Sequence, residues 1–239
     1  MSLSCSAAAV AALPAFAGFG KSSFQVLMYH ELSEDPNSAG AFCITPETFA
    51  ADLRYLQEQG YTFCFASQAD DVLSGRMPAG KYVCITFDDG YESDACLALP
   101  LLEQYGAKAT FFVIAANVDT PGYLSRSQLV RLAQSPSAQV GSHSYGLHKK
   151  TVAELRYLFG SGQTAAITED FQKGAAQLQE ITGQQVTVLS YPNGIWNQAA
   201  DRALRTAGFT ATFTSEETRN MLCPAAGSTG FPVPPYKTC

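Results

Sequence analysis

Four groups of polar side chains each follow directly after a short apolar stretch of strand-forming residues. They are His30, the adjacent pair Asp88 and Asp89, residues 143–148, and residues 191–194. Imidazole and carboxylate groups bind divalent metals, and they also transfer protons near neutral pH. Two histidines and one carboxylate form a three-ligand set that leaves coordination positions open for water. These residue types point to metal-assisted hydrolysis, provided that the fold brings them together.

The spacing of the histidines is a weak signal when taken alone. His143 and His148 are five residues apart in a chain that has only 3 histidines. On a helix this spacing would place them about 140° apart, so one helix face could not present both. On a strand end that runs into a glycine-containing loop, the backbone can turn both imidazoles inward. A loop at the end of a strand is therefore the predicted setting of the pair.

The sequence Asp88-Asp89-Gly90 has two interpretations. Asp followed by Gly is a common turn sequence. Alternatively, one carboxylate is a metal ligand and the other is spare. Adjacent carboxylates at the end of an apolar strand cost desolvation and mutual repulsion unless a cation or a partner offsets both. The histidine pair expected at the same edge favours the metal interpretation.

Apolar strand-like stretches alternate with stretches of helical period, which is typical of an α/β protein with parallel strands. Strands are predicted at 24–29, 61–66, 82–87, 108–114, 138–142, 186–190 and 209–213; helices are predicted at 46–59, 94–105, 125–134, 165–181 and 198–206. Seven strands favour a single (β/α) barrel, with a doubly wound open sheet as the alternative. No glycine-rich nucleotide motif supports that alternative. In either fold the carboxyl ends of the strands share one face, where active sites lie.

Composition excludes several classes of protein. The content of 46% hydrophobic and 15% charged residues excludes disorder and coiled coil. The net charge of −6, with no basic stripe, argues against nucleic acid as a partner. No apolar run reaches the roughly 18–20 residues of a transmembrane segment.

Residues 1–23 form an apolar N-terminal segment, and residues 24–239 are predicted to form one domain. The stretch 5–17 is almost entirely apolar and ends in Ala-Phe-Ala, as a signal peptide would, although the first lysine is Lys21. A signal-peptide remnant and a plain apolar arm both remain open. The first interpretation predicts an exported, periplasmic or cell-envelope protein. It also predicts a disulfide between Cys223 and Cys239, with two free thiols as the alternative.

Three segments resemble the motifs of the NodB-type polysaccharide deacetylases. Residues 86–90 (TFDDG) resemble the first motif, residues 143–148 the second, and residues 189–194 (LSYPNG) the third. Residues 26–30 and 109–113 also look similar to segments of that family, and the resemblance covers about 24–213. It implies a single distorted (β/α)7 barrel and a metal-dependent hydrolase that removes N-acetyl groups from a polysaccharide.

The departures from the family pattern point to a subgroup. The step between the histidines is five residues rather than four, Ser190 and Asn193 replace the usual Arg and Tyr, and no histidine follows His148. The poly-N-acetylglucosamine deacetylases of bacterial biofilms resemble this chain in the step and in lacking that Arg. They also take their catalytic acid from an early Tyr-His segment, which His30 matches.

By this resemblance each site residue has an expected role. Asp89, His143 and His148 would hold one divalent ion, with Zn, Ni, Co and Fe all compatible with the ligands. Asp88 would be the general base and His30 the general acid. A backbone N–H near Asn193 would stabilise the oxyanion. Substrate contacts are expected from Tyr145, Tyr191, Pro192, Asn193 and Trp196, although core packing explains Tyr145 and Trp196 equally well.

The resemblance therefore implies a secreted, metal-dependent deacetylase of a poly-N-acetylglucosamine-like polysaccharide, with zinc among the compatible metals. A deacetylase of peptidoglycan or chitin-type oligomers is one alternative. A non-catalytic carbohydrate-binding barrel is another, motivated by Ser190, Asn193 and the missing late histidine.

Overall fold

An eight-stranded parallel sheet forms the centre of the computed structural model, which describes residues 22–35, 37, 42–215 and 236–237. Its strands are β1 (Ser23–Tyr29), β4 (Thr62–Phe63), β5 (Lys81–Asp89), β6 (Ala109–Val113), β7 (Ala138–Ser142), β8 (Val188–Ser190), β9 (Ala211–Thr214) and β10 (Tyr236–Lys237). The strand order is β1-β5-β6-β7-β8-β9-β10, and β4 pairs with the start of β5. Two further short strands, β2 (Glu31–Leu32) and β3 (Cys43–Ile44), pair with each other beyond the end of β1.

Helices connect most of these strands, as is usual for the crossovers between parallel strands. They are α1 (Pro46–Glu58), α2 (Ala69–Leu73), α3 (Leu99–Gln104), α4 (Arg126–Gln134), α5 (Val152–Gly160), α6 (Thr164–Thr182) and α7 (Gln198–Thr206). The predicted start of α1 is confirmed, because the Thr45 side chain caps the helix and Pro46 follows it. At α4, Ser125 and Gln128 form a capping box.

The sheet curls strongly, so that side chains from distant strands meet on its inner face. The rings of Phe112 on β6 and Phe213 on β9 are 5.5 Å apart between centroids, although three strand spacings of about 4.8 Å would separate them in a flat sheet. The inner core also contains the buried side chains of Phe24, Val26 and Cys84. Helices α1, α3, α4 and α6 pack against the opposite face of the sheet in a second core cluster. The fold is thus the predicted distorted (β/α) barrel with parallel strands.

Two predicted elements differ from the observed ones for physical reasons. Strand β4 is two residues long rather than six, because it pairs only with Tyr82 and Val83; from Ile85 onward β6 occupies that edge of β5. The predicted helix 94–105 is a π-helical turn over Asp94–Ala98 followed by α3. The change comes just before Pro100, which lacks the N–H that a continuous helix needs.

Helices α2 and α5 were not predicted. The start of α5 carries a capping box formed by Thr151 and Glu154, which is a signal that the sequence offered. Residues 1–21, Cys223 and Cys239 lie outside the described residues, and so do the export and disulfide predictions that depend on them. Within the described ranges, no helix is long and apolar enough to cross a membrane.

The strand register brings the candidate chemical groups to one edge of the sheet. Tyr29, which precedes His30, pairs with Phe87, and Asp89 pairs with Val113. Val113 also pairs with Ser142, which in turn pairs with Leu189. His30, the two aspartates, His143 and Ser190 therefore lie at the carboxyl end of one continuous parallel sheet.

Candidate active site

Asp89, His143 and His148 converge beyond the ends of β5 and β7. One potential ligand atom from each lies within 4.8 Å of the other two. The Asp89 Oδ1 atom is 3.5 Å from His143 Nε2 and 3.3 Å from His148 Nε2. His143 directly follows β7, whereas His148 lies in a 3-10 turn over Leu147–Lys149. The loop between the two histidines thus returns the second imidazole to the first.

Backbone in the left-handed region shapes this cluster. Three of the four described non-glycine residues with positive φ lie here: Asp89 (77°), Ser144 (73°) and Asn193 (54°). In a regular strand Asp88 and Asp89 would point to opposite faces of the sheet. The left-handed turn at Asp89 ends that alternation, so that carboxylate oxygens of both residues lie within 4 Å of His143 Nε2. Such backbone costs on the order of 1–3 kcal/mol per residue and concentrates at functional sites.

The histidines are held as neutral imidazoles. His143 Nδ1 is 2.9 Å from the Ser190 carbonyl oxygen. Because a carbonyl only accepts, Nδ1 carries the proton, and the Nε2 lone pair faces Asp89. Burial lowers the pKa of His143, and burial followed by the charge of His143 lowers the pKa of His148. Neutral imidazole is the form that binds a metal.

Asp88 has a different environment from Asp89. The pKa of Asp88 is raised to about 6, mainly by burial and also by the charge of Asp89, whereas the charge of His30 and the hydrogen bond from Ser190 oppose the rise. The Ser190 hydroxyl donates to Asp88 Oδ2 at 3.1 Å. Ser190, noted in the sequence only as a departure from the family motif, therefore supports the second carboxylate. Asp88 is a carboxylate suited to proton transfer near neutral pH.

His30 lies at the same edge of the sheet as the aspartates. It directly follows β1, and its charge acts on Asp88. Its ring packs against Phe42 with centroids 4.7 Å apart, and 64% of Phe42 is exposed. The imidazole therefore stands at the open side of the cluster, next to an exposed aromatic ring.

The predicted substrate-contacting residues divide into two groups. Tyr191 is 1% exposed, and its hydroxyl donates to Asp201, so its ring packs in the helix core instead of lining an open pocket. Pro192 is also buried, whereas Asn193 is exposed. Trp196 is half-buried and packs against the hydrophobic cluster that contains Tyr191. Tyr145 is half-buried, with the Lys173 ammonium nitrogen 3.6 Å from its ring centroid.

Tyr91 is a neighbour of the cluster that sequence reasoning missed. Burial comes first among the causes that raise the pKa of its hydroxyl, followed by the charge of Asp89. Its ring stacks on Tyr123 with centroids 5.2 Å apart. The sequence signal that could have identified Tyr91 was its position directly after the Asp88-Asp89-Gly90 segment.

The cluster fits a divalent metal. Oδ1 of Asp89 is buried and has no hydrogen-bond partner among the described residues, although it lies between two imidazole nitrogens. An unpaired buried carboxylate oxygen costs free energy that a cation would offset. Two neutral nitrogens and one carboxylate oxygen are donors that Zn, Ni, Co and Fe accept.

A curled parallel barrel with this cluster at its strand ends matches known carbohydrate-modifying enzymes in sequence as well as in fold. Residues 75–212 match the sequence model of the family described as polysaccharide deacetylase. The structure of IcaB from Ammonifex degensii superposes with a TM-score of 0.74 at 30% identity, covering 90% of this chain and 91% of that one. The chain belongs to the polysaccharide deacetylase family.

Two curated relatives extend the comparison. YxkH of Bacillus subtilis, which is named for the same family, is 28% identical over 193 residues, or 80% of this chain. The poly-beta-1,6-N-acetyl-D-glucosamine N-deacetylase of Staphylococcus epidermidis is 24% identical over 182 residues, or 74% of this chain. The matches span 64% and 62% of the lengths of these two relatives.

We expect the metal-free protein to bind one divalent ion. His148→Ala should weaken that binding at least about a hundredfold, because the loss of a group that only supports a ligand already lowers metal affinity about 10- to 100-fold. Competition with a chelating dye measures the affinity. His30→Ala is the matched control, because it removes an imidazole from the same edge but leaves the three ligands. Tight stoichiometric binding by His148→Ala would show that the ligand set is wrong.

Proposed function

We propose that this protein is a metal-dependent hydrolase that removes N-acetyl groups from a poly-N-acetylglucosamine-like polysaccharide. The observation that carries the proposal is the cluster of Asp89, His143 and His148 with the second carboxylate of Asp88 beside it. The likeness to a relative named for poly-N-acetylglucosamine deacetylation supports this substrate class.

The three clustered residues would hold the ion. When bound, a divalent ion would supply Lewis-acid chemistry, since it lowers the pKa of water and polarises a carbonyl group. Asp88 is free to act as general base, because its carboxylate is oriented by Ser190 and one ligand from the adjacent pair is sufficient. It takes the proton from the water that attacks the acetyl carbon.

Breaking the amide bond also requires an acid, because an amine leaves poorly as an anion. We assign this role to His30, which directly follows β1 at the same edge of the sheet and acts electrostatically on Asp88. The proton passes from the imidazole to the sugar nitrogen as the bond to the acetyl carbon breaks. A positioned proton donor contributes about 10²–10⁴-fold to the rate.

The motif departures agree with catalysis. Ser190 hydrogen-bonds to the base through its side chain and to a metal-binding histidine through its carbonyl. Asn193 keeps the left-handed turn after β8 and is exposed at the site edge. Neither residue disrupts the cluster, so they give no support to a non-catalytic barrel.

We expect the metal-loaded protein to release acetate from poly-N-acetylglucosamine faster than from chitin oligomers or peptidoglycan fragments. Enzymatic quantification of acetate measures this, and Asp88→Asn is the matched variant. It should lose at least about 10²-fold in turnover while it keeps the metal. A preference for peptidoglycan or chitin would overturn the substrate assignment. Metal binding without acetate release from any substrate would overturn the enzymatic one.

Ser190→Ala should move the acid limb of the kcat/KM profile to higher pH. The hydrogen bond from Ser190 favours the ionised form of Asp88, so its removal raises the pKa of the base. At a given acidic pH a smaller fraction of Asp88 is then ionised. Steady-state rates from pH 4 to 9 would show the shift, and an unmoved acid limb would argue against Asp88 as the base.

His30→Ala should lose at least about a hundredfold in turnover on N-acetylated sugar, with metal content unchanged. The alkaline limb of the pH profile should be lost or displaced, because it reports deprotonation of the acid. An activated acetate ester provides the control, since its leaving group needs no proton, and the variant should hydrolyse it nearly as well as the unaltered protein does. An equal loss on both substrates would show that His30 acts in another way.

A further inference from the structure

The loop between the two clustered histidines is held by a carboxylate on a different element. Oδ1 of Asp170, on α6, accepts hydrogen bonds from the backbone N–H of Tyr145 at 2.8 Å and from that of Gly146 at 3.2 Å. The second oxygen of Asp170 is also 3.2 Å from the Gly146 nitrogen. Hydrogen bonds to an ionised carboxylate are about twice as strong as neutral ones. They fix the two peptide groups that precede the turn containing His148.

One face of α6 is built around this loop. Four residues share one side of the helix, because three of them lie three, four and seven positions after Asp170. These are Lys173, Gly174 and Gln177. The Lys173 ammonium lies over the Tyr145 ring. A Cβ atom at Gly174 would lie 2.9 Å from the backbone carbon of Ser144 and from the nitrogen of Tyr145. The helix and the loop therefore pack backbone against backbone at this point.

The opposite side of the loop is held as well. The Ser144 carbonyl accepts from the Ala115 N–H at 3.1 Å, and the Tyr145 carbonyl accepts from the Ala116 N–H at 3.0 Å. Gln177 donates from its side chain to the Ala115 carbonyl at 2.9 Å, which ties α6 to the same turn. The loop is thus clamped between α6 and the turn Ala115–Asn117.

We propose that Asp170 is a positioning residue that sets metal affinity by fixing the loop from which His148 reaches the cluster. His143 is fixed by its strand and by Ser190, whereas His148 is part-exposed and lies in a short turn. The position of the second imidazole therefore depends on the peptides at Tyr145 and Gly146. This inference rests on the proposed metal site.

The test compares Asp170→Asn with Glu169→Gln in the full chain. The two substitutions are at adjacent positions of α6, and each removes one negative charge. Glu169, however, is exposed and does not face the loop. Chelator competition with Co²⁺ gives the affinity, the visible absorption of bound Co²⁺ reports ligand geometry, and thermal unfolding of the metal-free protein reports the fold. We expect Asp170→Asn to bind Co²⁺ about tenfold or more weakly with an altered spectrum. Glu169→Gln should match the unaltered protein in both.

A second variant keeps the inference open to test if Asp170→Asn does not fold. Gly174→Ala pushes the same loop from the same helix face, and it should weaken Co²⁺ binding in the same direction. A lowered melting temperature with unchanged Co²⁺ affinity and spectrum in a folded variant would make the role merely structural and overturn the proposal. Absence of Co²⁺ binding by the unaltered protein would instead refute the proposed metal site.

Discussion

Two adjacent carboxyl groups are buried at the end of β5, and the rest of the site depends on how their charge is accommodated. Asp88 is 5% exposed and Asp89 is 8% exposed. A third carboxyl group, that of Asp94, is fully buried nearby, and within the described ranges neither of its oxygens has a hydrogen-bond partner. Burial, followed by the charges of Asp89 and Asp88, raises the pKa of Asp94. The adjacent buried carboxyl groups of Asp88 and Asp89 would favour a cation, for which the two imidazoles would provide further ligands.

Ser190 connects the two functions of the site. Its carbonyl fixes the tautomer of His143, a candidate metal ligand, and its hydroxyl hydrogen-bonds to the candidate base. Both contacts follow from the pairing of β7 with β8, where Ser142 is opposite Leu189. His143 and Ser190 are the next residues along each strand. A polar residue at the carboxyl end of a parallel strand can therefore organise chemistry on the neighbouring strand without any loop of its own.

The surface around the cluster indicates how a sugar polymer could approach. Exposed Phe42 stands beside His30, and the stacked rings of Tyr91 and Tyr123 lie beside Asp89. Tyr191 and Pro192, which follow β8, belong to the core instead. The aromatic surface thus comes from the loops after β2, β5 and β6. The family fold by itself does not select one polysaccharide.

Much of the chemistry follows from the sequence alone. The alternation of apolar strands with helices indicates the parallel barrel, and polar residues directly after the strands must meet at one edge. Asp88, Asp89, His143 and His148 are found together for that reason. The left-handed turn at Asp89, which brings two adjacent carboxylates to one side, is visible only in the folded backbone.

Tertiary structure decided which side chain at the carboxyl end of β8 faces the candidate catalytic groups. Along a strand successive side chains alternate between faces, so a shift of one residue in register exchanges inside and outside. Ser190 therefore points toward Asp88, and Tyr191 points toward α7, where it meets Asp201. The support of the histidine loop by Asp170 is likewise a tertiary contact between elements 24 to 25 residues apart. Sequence determines which groups are available at the strand ends, but only long-range packing determines which of them face one another, because register and helix docking depend on contacts that local patterns do not encode.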